Sequence, residues 1–431
     1  MSKLTLKEID DLLAHQVITE ETAKNIINFY QQKAEQSGSR LIIVFGILGS
    51  LLVGMGMVLI IAHNWDMLPK FSKLIIALSP LLVGQLICSY LLWKNITSQA
   101  WREGVSVFLI FAVAVSISIV SQVYNISGDL SSFLFVWMLL SIPVVYVMRS
   151  SMASLLCWIG VSWLGCQANY FNYNGPRDLL FWGLLAAITP WYIRLIRNNP
   201  QSNYTFFHHW VVASSLTILL GTLADHNQEL MLPVYLNLLG IFLLIGQLPF
   251  FTKQKLLTNA YLITGSLGTL GILLSLSFDW FWDDISGYNS TSWLGSFETI
   301  IFIVLLAAAL YLLYVHHKIG DLRKLISKSF VFLIFTFLFA IGINLPEVSQ
   351  TLLNVLILAL AVYTVREGAN ADKLWQMNYG LLILTALIIC RFFDSDLSFV
   401  VRGLLFVSVG LGFFGVNYWM VQKRKKEQPV G

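Results

Sequence analysis

Apolar runs of roughly 18 to 23 residues recur down nearly the whole chain, and a helix of that length covers about 30 Å of hydrocarbon. Only short polar connections separate them. The runs lie at about 41–63, 71–93, 104–124, 130–148, 152–171, 179–197, 206–224, 230–251, 257–277, 296–316, 326–343, 349–366, 374–393 and 397–421, each edge being uncertain by a few residues. Composition agrees with them. Of 431 residues 57% are hydrophobic and 12% charged, and the mean hydropathy is +0.73, which leaves too little polar surface for a water-soluble globule. The expected fold class is all-α, a polytopic integral membrane protein with about 14 transmembrane helices (12 to 14), because only helices and closed barrels satisfy their backbone in lipid.

Basic residues in short loops stay on the cytoplasmic side, which gives this threading an independent check. With the N terminus inside, every Lys and Arg except Lys70, Lys73, Arg177, Arg391 and Arg402 falls on cytoplasmic segments. Both termini are therefore expected in the cytoplasm. The net charge of +4 reflects this asymmetry and does not indicate nucleic acid. The basic tail at 422–431, with "QKRKKEQ", reads as a topology anchor that also touches anionic lipid.

Residues 1–40 differ in kind. "TLKEIDDLLAHQ" sets Leu6, Ile9, Leu12 and Leu13 on one helical face, and Thr5 with Glu8 has the form of a capping box. In "ITEETAKNIINFYQQ", Thr19 is the expected N-cap of a second helix whose stripe is Ala23, Ile26, Ile27 and Tyr30. The pair is expected to fold back at "HQV" as a cytoplasmic hairpin. So small a unit needs the membrane domain, lipid or another subunit to lean on, as a topology-fixing cap or as a docking module. Cys88, Cys157, Cys166 and Cys390 all lie within apolar runs without metal-type spacing, so neither a disulfide framework nor a metal is expected.

Two polar clusters end apolar runs on the outer side. The first is "AHNWD", with His63, Asn64, Trp65 and Asp66; the second is "SQVYNISGD", with Gln122, Tyr124, Asn125 and Asp129. Gln122, Asn125 and Asp129 would share one face if their helix continued, although Gly128 is expected to end it. The clusters come from neighbouring helix pairs. Interfacial capping and a shared polar mouth are both open readings.

These residues carry a resemblance. The hairpin ending in "ITEETAKNIINFYQQ", the run "GMGMVLIIAHNWDMLPKFSKLIIALSPLLVGQ" and the later "SQVYNISGDLSSFLFVWMLLSIPVVYVMRSSMASLLCW" together resemble the bacterial predicted-membrane-protein family catalogued as domain of unknown function 2157. The most specific element is the Asn64–Trp65 pair after a Gly-rich first helix. The resemblance covers about residues 1–158 and implies a multi-pass protein of the bacterial inner membrane with a cytoplasmic N-terminal hairpin. It implies no activity, substrate or catalytic residue. On this reading the chain divides into the hairpin at 1–40, the family-like membrane region at 41–158, further helices at 159–421 and the basic tail.

Small residues mark where helices approach. Gly46, Ser50 and Gly54 recur every fourth residue, widened by Gly49 and Gly56, and Gly265, Gly268 and Gly271 form a second stripe. Pro80, Pro143, Pro190 and Pro233 are expected to kink their runs. An ionisable group at membrane depth is costly, so the few candidates stand out. Glu298 would either snorkel or face an internal cavity. Arg391, Asp394, Asp396 and Arg402, in "CRFFDSDLSFVVRG", would pair with one another at the outer face, and Arg402 could reach an anionic headgroup. His208–His209 and His316–His317 are poor metal candidates, since adjacent helical residues diverge; they are expected near the cytoplasmic boundary. In the longest outer loop, Trp280, Phe281, Trp282, Tyr288 and Trp293 would settle at the interface, leaving Asp279, Asp283 and Asp284 towards water.

No phosphate-cradling loop, zinc motif or nucleophile elbow is present in a plausible context, so neither cofactor nor catalytic residue is assigned. The leading expectation is transport or flipping of an amphipathic or lipid-linked solute, motivated by Gln85, Asn237, Gln247, Asn259 and Asn354 within spans. A non-catalytic scaffold or sensor, with a homo-oligomeric or membrane-protein partner, is the alternative. A transferase using outer-face carboxylates, Asp66 foremost, is the third.

Overall fold

A computed structural model of the protein describes residues 12–26, 68–170, 179–225, 227–252, 254–278, 280–282, 295–319 and 331–394, with isolated positions elsewhere. Every regular element among the described residues is helical. In chain order the long helices are α1 (Lys70–Trp93), α2 (Gln99–Tyr124), α3 (Leu130–Met148), α4 (Ser151–Asn169), α5 (Leu180–Asn198) and α6 (Asn203–Leu220). They continue with α7 (Met231–Gly246), α8 (Ala260–Ser275), α9 (Phe297–Ile319), α10 (Val331–Gly342), α11 (Pro346–Asn370) and α12 (Leu374–Asp394).

Nine helices among the described residues are long and apolar enough to cross a membrane. That is fewer than fourteen, and the difference has local causes. The first and last apolar runs fall almost wholly outside the described residues. The runs at about 257–277 and 326–343 form α8 and α10, which are shorter apolar helices. In α5, Arg194 and Arg197 lower the apolarity of a helix that otherwise matches in length.

Between the two N-terminal helical stretches the chain turns at the expected place. Gln16 adopts the left-handed conformation (φ 56°), and Val17 N–H returns to the Leu12 carbonyl at 3.0 Å, a helix-ending pattern. Thr19 then caps the next helix, its hydroxyl accepting from Thr22 N–H at 3.3 Å. Ile9 and Ala23 are buried, whereas Leu12 and Val17 are exposed.

The chain forms two compact units, Met1–Cys157 and Trp158–Gly431. In the first, α1 packs on α2 and α2 on α3. The buried residues of α3 (Leu134, Met138, Ser141, Ile142, Val145 and Met148) recur every three or four positions, so one stripe meets the neighbours. Two side-chain bonds cross between helices: Ser116 donates to the Ala77 carbonyl at 2.7 Å and Trp137 Nε1 to the Ile110 carbonyl at 2.8 Å. In lipid such bonds and close packing hold helices together, since apolar contact alone gains little over lipid tails.

In the second unit α7 is the hub, packing on α8, α9 and α10 and buried on nearly every side. Its last carbonyls are taken up by other elements: His316 Nε2 donates to Leu244 at 2.9 Å and Asn259 Nδ2 to Gly246 at 2.7 Å, which satisfies groups that every helix end leaves open. The glycine stripe of α8 works at two of its three positions. A Cβ on Gly265 would stand 2.8 Å from the Leu239 carbonyl oxygen and one on Gly268 would stand 2.6 Å from the Leu239 side chain, but Gly271 faces open space. Gly49 likewise meets nothing within 4 Å, and Gly46, Ser50, Gly54 and Gly56 lie outside the described residues. Pro80, Pro143 and Pro190 are inside helices, whereas Pro233 is in the first turn of α7, where a missing N–H costs nothing.

Trp282 is not at an interface. It is 1% exposed and donates to the Leu276 carbonyl at 2.7 Å. Its ring fills the space left by Gly342, whose hypothetical Cβ would lie 2.0 Å from it. Trp280, by contrast, is exposed and stacks on Phe281; Asp279, Asp283, Asp284, Tyr288 and Trp293 lie outside the described residues.

Candidate functional site

The turn between α2 and α3 builds a polar hollow from local rules. Asn125 ends α2 in the left-handed conformation (φ 50°), a role that suits asparagine better than most residues. The helix thus stops three residues before Gly128. Asp129 then starts α3, its carboxylate accepting from Ser132 N–H at 2.9 Å. The hydroxyl and the amide of Ser132 hold the Asp129 carboxyl below the usual carboxylate range.

Because α2 ends at Tyr124, Gln122, Asn125 and Asp129 do not share a helical face; the turn itself brings them together. They line one open hollow of about 650 Å³ with Ser118, Ser121 and Gly128, while Ile126, Leu130 and Phe133 supply an apolar side. Tyr124 is exposed and does not line it. His63, Asn64, Trp65 and Asp66 lie outside the described residues, so the meeting of the two clusters is not described.

The other candidate charges behave as fasteners. Glu298 is fully buried and accepts from the backbone N–H groups of Asp225 and Asn227, the latter at 3.2 Å, so it ties the start of α9 to the turn before α7. It does not snorkel. Arg391 donates through Nη2 to the Ser277 carbonyl just beyond α8, a favourable place for a cation, and lies 5.5 Å from the Phe278 ring. Gln350 donates to the same carbonyl at 3.1 Å. The Asp394 side chain, Asp396 and Arg402 lie outside the described residues.

Polar residues within the spans divide by role. Asn259 caps α8 through a 3.1 Å bond from Leu262 N–H, and Asn354 donates to Gln350 of its own helix at 3.1 Å. Gln85 is exposed and Gln247 closes α7. Asn237 is different: it is fully buried in α7, and neither of its amide atoms has a hydrogen-bond partner among the described residues.

A second cluster was not expected from the sequence. His208 and His209 are 0% and 1% exposed, buried rather than interfacial. Tyr192 of α5 sits between them. His208 stacks on its ring at 6.0 Å and 9°, and donates through Nδ1 to the Tyr204 carbonyl at 2.7 Å. The Tyr192 hydroxyl lies 2.6 Å from His209 Nδ1 and 2.6 Å from the Tyr261 hydroxyl. Phe250, Phe251 and Trp158 close over this group. His316 is also buried, and His317 is exposed. The only sequence signal was the polarity of a histidine pair beside an apolar run. Its partners are 17 and 69 residues from Tyr192, beyond any local pattern.

Among the described residues no group of three or more His, Cys, Asp or Glu side chains is arranged to hold a metal. Residues 10–154 match the family model described as "Predicted membrane protein (DUF2157)", a span that ends close to the boundary of the first compact unit. No curated protein and no solved structure matches the chain.

Proposed function

We propose that the chain is a multi-pass transporter or flippase for an amphipathic or lipid-linked solute, with about fourteen crossings and both termini in the cytoplasm of a bacterial cell. The observation that carries this reading is the hollow at the α2–α3 turn. Its polar wall runs from Asp129 back to Ser118, nearly two turns into an otherwise apolar helix. Its other wall is apolar. A headgroup with an attached chain has the same two-sided chemistry, and an ionised Asp129 beside the amides of Gln122 and Asn125 suits a headgroup bearing an ammonium or hydroxyl groups.

The test uses vesicles containing the purified full chain and a phosphatidylethanolamine labelled with a reducible fluorophore on its acyl chain. An impermeant reductant added outside should bleach nearly all the label when the protein is present. Gln122→Leu and Asp129→Asn should slow the loss of the inner-leaflet portion. Bleaching that stops at the outer leaflet, as in protein-free vesicles, would overturn the reading.

A scaffold or sensor is the second reading, favoured by the exposed Leu12 and Val17 of the hairpin, which offer apolar surface to a partner membrane protein or a second copy. Deleting residues 1–38 separates the two. Flipping survives the deletion if the hairpin is a docking element alone. For the transferase reading, the leading carboxylate, Asp66, lies outside the described residues, and Asp129 serves as the cap of α3.

A further inference from the structure

No Lys or Arg is among the described residues that line the hollow at the α2–α3 turn; its charge is the Asp129 carboxylate, set among the amides and hydroxyls of Gln122, Asn125, Ser118 and Ser121. A headgroup carrying only negative charge meets a like charge there, and one ending in a cation meets the opposite. Asp129 is exposed, however, and an ion pair in contact with water selects weakly. Selection needs a second contact that water screens less.

Phe133 supplies it. Its half-buried ring lines the hollow, four residues after Asp129 and so about one turn into α3. Beyond the hollow the rings continue: Trp137 lies 5.7 Å from Phe133, and Phe111 lies 6.1 Å from Trp137. On α2, Phe111 precedes Ser118 by seven residues, which puts it on the same helical face about 10 Å further from the turn. Trp137 stands near the middle of α3, away from the helix ends where tryptophan usually settles in a membrane. Its N–H donates to the Ile110 carbonyl at 2.8 Å, which fixes the indole and matches its one polar group. A fixed indole therefore backs the Phe133 ring.

An aromatic face attracts a cation through its quadrupole, and the attraction grows where water is excluded. It does not require N–H donors. A trimethylammonium group is held on a ring as a primary ammonium is, whereas a site made of hydrogen-bond acceptors alone loses the methylated form.

We infer that the hollow selects lipids whose headgroup ends in an ammonium, primary or quaternary, held between the Asp129 carboxylate and the Phe133 ring. The inference rests on the hollow being a lipid site, as proposed above, and names the class of lipid it takes. The amide N–H groups of Gln122 and Asn125 are left to donate to phosphate oxygens. Ile126 and Leu130 meet the start of the attached chains, and the row of Trp137 and Phe111 gives a chain an apolar course along α2 and α3.

The test places a photoreactive benzophenone side chain at Leu130, an exposed position lining the hollow, in the otherwise unchanged full chain. The vesicles hold equal parts of phosphatidylethanolamine, phosphatidylcholine, phosphatidylglycerol and a glucosyl diacylglycerol with the same acyl chains. Irradiation and mass spectrometry then read which lipid is attached. Adducts of the two ammonium lipids should each exceed those of the other two about tenfold, the scale of one shielded cation–π contact added to an exposed ion pair. Phe133→Leu should bring the ratios close to one, and Phe133→Tyr, which keeps the ring, should preserve them.

Adducts in proportion to the mixture, or an excess of the glycerol or glucosyl lipid, would overturn the inference. So would capture of phosphatidylethanolamine with phosphatidylcholine left at the level of phosphatidylglycerol, the mark of hydrogen bonding alone. The chain with Phe133 intact decides these outcomes even if a thermal melt shows that Phe133→Leu does not fold. Flipping is read separately. Capture of ammonium lipids by a protein that flips none upholds this site and removes the transport; flipping with capture in proportion to the mixture overturns this site and leaves the transport.

Discussion

The carboxylate of Glu103 accepts a hydrogen bond from the hydroxyl of Ser150, forty-seven positions further along the chain. The same carboxylate accepts from Ser151 N–H at 3.0 Å and Met152 N–H at 2.8 Å, so a side chain of α2 caps the start of α4. Arg149, in the left-handed conformation (φ 52°), makes the turn that presents those amides. An anion at a helix N terminus meets open N–H groups and the positive end of the helix dipole.

Glu103→Ala should therefore cost about 1 to 3 kcal/mol, the scale for stranding buried polar groups. Thermal melts in detergent would register it. Glu103→Gln, which keeps one acceptor oxygen, should cost less, and equal melting of all three proteins would contradict the capping role.

The α7–α8 contact makes a paired prediction. Gly265→Ala pushes a methyl group against the Leu239 carbonyl and the Leu243 N–H, both backbone, and should lower stability by about 1 to 3 kcal/mol. Gly271→Ala meets nothing within 4 Å and should stay within about 0.5 kcal/mol of wild type. A reversed order of melting temperatures would refute the contact.

Asn237 buries an amide whose two polar atoms have no partner among the described residues. Replacing it by leucine, which keeps the branching of the side chain without its polar atoms, should raise stability by about 1 to 3 kcal/mol, since desolvation without a bond is removed. A marked loss of stability would mean that the amide is bonded in the working protein.

For Asp129 the sign follows from a carboxyl held below its ordinary range by Ser132. Its capping contribution is fully present above the unfolded-state pKa and fades as pH falls through the lower folded-state value. Amide exchange at Ser132 and Phe133 should rise only in that acid window, and Asp129→Asn should remove the pH dependence.

How far the sequence could be read depended on what each feature needs. The limits of α3 were legible because Asp129, a long uncharged run and Arg149 are all local. The Thr19 cap and the turn at Gln16 were legible for the same reason. Burial was not. In a helix meant for lipid the outward face is as apolar as the inward one, so α6 gives no sign that His208 and His209 point to a core. Glu298 and Trp282 were misjudged or left open because their partners, the turn at 225–227 and the gap at Gly342, lie far off in the chain. The hollow was half legible: Gln122, Asn125 and Asp129 were named but Ser118 and Ser121 were not, and the helical face invoked to unite them ends at Asn125.

The functional account requires the α2–α3 turn to open on the outer side of the membrane and the α1–α2 turn on the inner side. Cysteine labelling in intact cells tests this directly, after Cys88, Cys157, Cys166 and Cys390 are replaced by alanine. With an impermeant maleimide, Tyr124→Cys, at an exposed position, should label at once. Lys94→Cys, also exposed, should label only after permeabilisation. Labelling of Lys94→Cys from outside, with Tyr124→Cys protected, would contradict the account.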